Sequence, residues 1–257
     1  MLETEESARD YNPQQQTNSK YALDECELQI PDIPEQVEIA ETPIAVVDQD
    51  FQDLLVVQAE DVSSWDQAGS CQNVSVYKKM TEDSPIVLLK AYALIEGVTT
   101  DIVYEVITNQ EVRRSWDKVL SNFEILQEDP GDGISVLYFM IKTPIGVSNR
   151  DFVQQRKVKK DFPQPGFITM HFKSVTHPKC PEKPRTVRGD TLISGYIIEP
   201  DVDSQGRPST KLTIISQNDI KGVIPKAIVN MLSGKAPRQW VGNLVKGCED
   251  YMKTMKK

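Results

Sequence analysis

From Phe51 onward, apolar positions recur in two rhythms, and the switches between them predict the order of elements. Phe51, Leu54, Leu55 and Ala59 share a helical face and predict a helix ending before Asp66-Gln67-Ala68-Gly69. The period then shortens to two, and Val74 to Lys79 and Ile86 to Leu94 read as strands. Thr99 and Thr100 precede Asp101-Ile-Val-Tyr-Glu-Val-Ile. That order predicts a capped helix with its acid at the positive end of the dipole. A shorter helix follows from Gln110 through Trp116.

Strand patterns then resume at Asn122 to Gln127, Ile134 to Lys142, Phe152 to Lys159, Phe167 to Val175, Arg188 to Ile198 and Lys211 to Asn218. Gly- and Pro-bearing turns punctuate them, among them Asp129-Pro-Gly-Asp-Gly and Pro163-Gln-Pro-Gly. The last element is long. Ile224-Pro225 opens it, since proline is tolerated in a first helical turn, and Val241, Leu244, Cys248, Tyr251 and Met255 continue a helical stripe. Pro237, three residues after Gly234, predicts a kink or a break between two helices. The succession is that of one α+β domain, 46–257. A strongly bent sheet with a long helix across it can enclose a cavity, and this order permits that geometry.

Residues 1–45 differ in kind. They are rich in Pro, Gln and Glu and short of aromatics, and they read as an acidic, poorly ordered lead-in, although Ile30, Ile33 and Val37 could pack on the domain. The N-terminus MLETEESARD is unlike a secretory signal, and no apolar run is long enough to span a bilayer; the expectation is a cytoplasmic protein. Cys26, Cys71, Cys180 and Cys248 lack CxxC spacing and read as reduced thiols.

A formal charge of -9 argues against a nucleic-acid partner. The charge is uneven: from Lys221 to Lys257 there are eight Lys/Arg against only Glu249 and Asp250. This stretch is either a basic face for anionic membranes or an ordinary solvated helix. Catalytic signatures are missing from the sequence. His171 and His177 lie in no metal or nucleophile-base motif, and there is no nucleophile elbow, P-loop or dinucleotide fingerprint. The chain reads as a binding protein, needing no cofactor beyond a bound ligand.

Four segments, in order, resemble the START family, the lipid-transfer domains related to steroidogenic acute regulatory protein. They are Asp101-Ile-Val-Tyr-Glu-Val-Ile with Arg113-Arg-Ser-Trp-Asp; Lys142-Thr-Pro with Ser148-Asn-Arg-Asp-Phe-Val; Val187-Arg-Gly with Ser194-Gly-Tyr; and Thr210-Lys-Leu-Thr with Asp219-Ile-Lys-Gly and Ile224-Pro-Lys-Ala. The resemblance implies a helix-grip fold, a curved antiparallel sheet whose hydrophobic tunnel is closed by the C-terminal helix. It also implies a monomer that binds one lipid, a phospholipid or a sterol, and transfers or senses it during transient contact with membranes. A protein-interaction module with a filled core and a catalytic helix-grip protein are the alternatives.

The phosphatidylcholine branch holds its lipid phosphate with an Arg/Asp pair, matched here by Arg113 and Asp117, one helical turn apart. The competing reading is a structural salt bridge. That branch cages choline in aromatic rings; the matching positions here are Phe139, Phe152 and Leu192, so the cage is incomplete. The sterol branch pairs the arginine of its RDF motif, here Arg150, with an acid on the preceding strand; the strand from Ile134 to Lys142 has none. Arg188 and Asp190 alternate and could join a polar network in the tunnel or in the scaffold. Ile145 and Val147 on the loop Thr143 to Ser148, with Lys226, Lys235 and Lys246, are the membrane-docking candidates.

Overall fold

The computed structural model describes residues 48–71, 73–82, 84–129, 131–141, 143, 147–222 and 234–255. The acidic lead-in, Ile145, the Ile224-Pro225 start and Lys226 lie outside them. Helix α1 spans Gln49–Ala59, capped by Asp48, whose carboxylate accepts from the Asp50 N–H at 3.1 Å. Strands β1 (Asp66–Cys71), β2 (Val74–Thr81) and β3 (Ser84–Ile95) follow. Next come α2 (Thr100–Thr108) and α3 (Gln110–Trp116). The run β4 (Leu120–Asp129), β5 (Ile134–Ile141), β6 (Asn149–Lys160) and β7 (Ile168–Ser174) leads to β8 (Thr186–Arg188), β9 (Asp190–Val202) and β10 (Pro208–Asp219). Helix α4, Ala236–Met255, closes the described chain.

The strands form one curved 10-stranded sheet in the order β1-β2-β3-β10-β9-β7-β6-β5-β4, with β8 paired in parallel to β6. Insertion of β10 between β3 and β9 sets Ile214 opposite both Ala91 and Tyr196. Period-two alternation gives the sheet two buried faces. One packs against α2, α3 and α4 through Val103, Val106, Trp116, Val241, Leu244 and Cys248. On the other, Leu54 of α1 joins Trp65, Leu88, Ile197 and Ile215, while a smaller cluster of Val136, Tyr138, Val153 and Cys180 lies farther along. Gly195 permits the approach of α1, because a Cβ there would collide with Leu54 and the Met170 carbonyl.

Several local expectations change. Residues 66–71, read from the sequence only as the point before which the first helix ends, form an edge strand. Asp66–Cys71 is largely exposed and pairs with β2 alone, so its sequence carries no alternating apolar face. The Arg238 guanidinium donates to the Ser70 carbonyl at 3.1 Å, fastening β1 to the start of α4. Thr99 occupies the N-cap of α2 but makes no side-chain cap bond, whereas Asn109 caps α3 by accepting from the Glu111 and Val112 N–H groups. Pro237 lies in the first turn of α4, where its missing N–H costs no helical bond, and residues 223–233, on which the expected kink or break between two helices depends, lie outside the described residues.

Candidate ligand cavity

Between the inner face of the sheet and helices α3 and α4, the described residues line a cavity of about 730 Å³. That lies within the range of small-molecule sites, about 300–1,000 Å³. Its wall is mainly apolar, with Leu89, Ala91, Leu137, Ile141 and Ile214 contributed by three strands. Arg113 and Asp117 line it from α3 and its C-terminal cap.

The arginine and aspartate form a buried pair. Arg113 Nη2 and Nε lie 3.1 and 3.2 Å from Asp117 Oδ2, and Nη1 donates to the Ile107 carbonyl at 3.1 Å. Asp117 Oδ2 also accepts from the Trp240 indole N–H at 3.0 Å, and Oδ1 from the Val119 N–H at 3.2 Å. The carboxylate, its side chain only 1% exposed, is therefore satisfied on both oxygens. A guanidinium carries five N–H donors. Among the described residues these contacts engage three, leaving two for a cavity ligand or for the adjacent Tyr196 hydroxyl.

Aromatic rings surround the guanidinium. Its carbon lies 5.3 Å from the Phe123 centroid, 5.6 Å from Trp116 and 5.7 Å from Trp240, a cation held against ring faces. Trp116, Trp240, Tyr196 and Phe172 continue as a chain of ring contacts at 5.4, 5.4 and 4.9 Å. Burial pushes the Tyr196 phenol pKa up, with Arg113 pulling the other way. Sequence reasoning missed Trp240 and Tyr196. Trp240 sits one residue ahead of Val241 and off the apolar stripe, and its indole N–H, which demands a buried acceptor, is the signal that could have found it.

The structure brings Arg113, Asp117, Phe139 and Phe152 together around this cavity. Phe139 and Phe152 stack on one another at 5.1 Å and 13° instead of standing as separate walls of a cage. Gly189 makes room for them, because a Cβ there would enter the Phe152 ring.

Arg150, Arg188, Asp190 and Leu192 do not line the cavity, and each has a physical reason. Arg150 is 5% exposed and is engaged by the carbonyls of Ser148, Ile220 and Lys221, the last two at 3.2 Å, so it anchors the end of β10. Asp151 is not its partner. It pairs with Arg188 through Nε–Oδ1 at 2.8 Å and Nη2–Oδ2 at 3.1 Å, and Arg188 also donates to the Cys180 carbonyl. That network ties the Pro-rich loop to the sheet. Asp190 stands across from Asp219 at the strand end.

Leu192 is displaced by a bulge. Ser216 pairs with Ser194, but Asn218 pairs with Thr191, so β9 advances three residues while β10 advances two. The extra residue reverses the alternation. Thr191, 2% exposed and bonded to the cavity residues Gln154 and Asn218, takes the inward place.

Of the docking candidates, Lys235 and Lys246 are exposed or partly so, on α4 and just before it. Val147 is partly buried, with its carbonyl accepting from the Thr143 hydroxyl at 3.0 Å. Among the described residues, no helix is long and apolar enough to cross a membrane, and no group of three His, Cys, Asp or Glu is placed to hold a metal ion.

A START domain family model matches residues 47–254. The phosphatidylcholine transfer protein of Bos taurus is 24% identical over 193 residues, covering 75% of this chain and 87% of its own. StAR-related lipid transfer protein 5 of Mus musculus is 30% identical over 198 residues, covering 74% of this chain and 89% of its own. The crystal structure of human STARD10 matches with a TM-score of 0.70 at 26% identity, over 81% of this chain and 82% of that one. This chain belongs to the START domain family.

Proposed function

We propose that this protein binds one phospholipid in the cavity, with the lipid phosphate at Arg113, and transfers it between membranes without altering it chemically. The observation that carries the reading is a mainly apolar cavity containing a largely buried guanidinium, of whose five N–H donors Asp117 and Ile107 hold three among the described residues. An apolar wall favours acyl chains by about 0.8 kcal/mol for each methylene taken out of water. The arginine supplies a geometry and charge matched to a phosphate. Asp117, saturated with donors, holds the guanidinium in place while leaving part of its fork for the ligand. The names of two relatives, a phosphatidylcholine transfer protein and a lipid transfer protein, support the same class.

A phospholipid fits this cavity better than a sterol. A sterol brings a single hydroxyl, which has no need of a guanidinium, and Arg150 is already engaged by three carbonyls. Entry and exit take place in the cytoplasm at a membrane surface, with one monomer contacting the bilayer transiently along α4 and the residue before it, where Lys246 and Lys235 meet anionic headgroups. No cofactor takes part.

Mass spectrometry of lipid extracted from purified protein, against a mock-purified control, tests the proposal together with vesicle-to-vesicle transfer. The expected result is one enriched phospholipid class and transfer that is lost in Arg113→Met. No enriched lipid together with no acceleration of transfer overturns the proposal, and an enriched sterol overturns its phospholipid part.

A further inference from the structure

The cavity contains a second polar set, and its hydrogen bonds run in one direction. Gln154 Nε2 donates to Thr191 Oγ1, the Thr191 hydroxyl donates to Asn218 Oδ1 at 2.8 Å, and Asn218 Nδ2 donates to Ser216 Oγ at 2.7 Å. A hydroxyl that accepts one bond still has a proton to give. Among the described residues nothing accepts from Ser216. The same holds for Ser194, whose Oγ accepts from the Gln217 N–H at 3.1 Å. These serines face each other across β9 and β10, and both line the cavity with Gln154 and Asn218.

Two hydroxyl donors therefore border a mainly apolar space, where a donor left without an acceptor is costly. The chain behind Ser216 runs toward it, which polarises its hydroxyl further as a donor. The ligand group that suits this place is an acceptor. Its position relative to the guanidinium follows from the strand: Ser194 and Tyr196 lie on the same face of β9 and both line the cavity, two residues or about 7 Å apart. Tyr196 and the Arg113 guanidinium pack against the same Trp240 ring, at 5.4 and 5.7 Å from its centroid.

We propose that Ser194 and Ser216, backed by the Gln154–Thr191–Asn218 chain, receive an acyl carbonyl oxygen of the ligand. The inference rests on the lipid reading above and narrows it. The cavity then reads two features of one molecule, a phosphate at Arg113 and a carbonyl at the Ser194–Ser216 pair. Glycerolipids carry that carbonyl as an ester and sphingolipids as an amide. Ether-linked lipids keep the phosphate and chains but lack the carbonyl.

The test compares the affinity of the full chain for diacyl phosphatidylcholine, its di-O-alkyl counterpart with identical chains, and sphingomyelin. Ester and ether forms of phosphatidylethanolamine and phosphatidic acid run in parallel, so that headgroup preference does not decide the result. The ester or the amide is expected to bind about 2- to 12-fold more tightly than the ether, the effect of one hydrogen bond. Which of the two leads identifies the source of the carbonyl. In the Ser194→Ala/Ser216→Ala variant the ratio moves toward one. Equal affinity of the wild-type protein for ester and ether overturns this inference and leaves the lipid reading standing; absence of binding to every lipid in the panel overturns both. The wild-type ratio requires no variant, so it decides between these outcomes even where the serine double variant misfolds.

Discussion

Replacing Asp117 with asparagine separates the charge of the buried pair from its hydrogen bonds. Asp117 accepts from Arg113 Nε and Nη2, the Trp240 indole and the Val119 N–H, and its side chain is 1% exposed against 12% for Arg113. Asparagine keeps one acceptor oxygen in nearly the same shape but leaves the guanidinium without its counter-charge. Removing one partner of a buried pair costs about 3–5 kcal/mol. For a domain of this size, each kcal/mol shifts the melting temperature by about 2–4 °C, so Asp117→Asn is expected to lower it by ~6–20 °C. The double variant Arg113→Met/Asp117→Asn removes the stranded charge and keeps an acceptor for Trp240 or Val119. It is expected to recover to within about 1–2 kcal/mol of wild type, since apolar replacement of a buried pair is often near neutral. Thermal melts and urea titrations of wild type, both single variants and the double variant give the coupling energy directly. Equal destabilisation in Asp117→Asn and the double variant would refute the reasoning and assign the loss to the Trp240 and Val119 bonds. The double variant, folded but without the guanidinium, should also fail to transfer phospholipid.

Four other outcomes are expected. His171 is 4% exposed, 3.9 Å from Asp50, with Lys157 and Lys173 also around that carboxylate; burial holds its pKa below the ordinary histidine value, Asp50 opposing. The unfolded chain therefore binds more protons from about pH 6.5 down to the depressed folded value, so stability should fall as pH drops from 7.5 to 5.5, and His171→Gln should flatten that part of the melting profile. The carboxyls of Asp48 and Asp50 are held below their ordinary range, and the stability they contribute is lost at lower pH, as acid titrates them. Gly189→Ala forces a Cβ against the Phe152 ring and is expected to cost about 1–3 kcal/mol in urea unfolding and to weaken lipid binding; unchanged values in both would refute the packing argument. Lys235→Gln/Lys246→Gln should slow transfer from anionic vesicles and not from neutral ones, and equal rates from both would remove these lysines from membrane contact.

The sequence was most informative where one face of an element is buried. The strand patterns from Ile134 to Asn218 are legible because the strands pack on both sides of the sheet, and the α2–α3 pair announces itself through Val103, Val106 and Ile107. Arg113 and Asp117 were legible as a pair because one helical turn separates them. What stayed hidden depends on contacts distant in sequence. Arg150 meets carbonyls seventy residues away, which no local pattern encodes. The bulge in β9 pairs Thr191 with Asn218, a shift in register that a family position matched along the strand to Leu192 cannot anticipate. Edge strand β1 buries neither face, so it leaves no hydrophobic signature.

The two-sided packing of the sheet divides mutational risk between adjacent residues. On β3, Leu89 lines the ligand cavity while Leu88 belongs to the core beneath α1. On β10, Ile214 lines the cavity, and Ile215 belongs to that core while also bordering the chamber. Substitutions that resize the chamber can therefore accumulate on one side while the apolar layer under α1 continues to secure the sheet. Descendants of such a chain are free to change cargo gradually, and an engineer seeking a new ligand would randomise Leu89, Ile214 and their inward neighbours while holding Leu88 and Ile215 fixed.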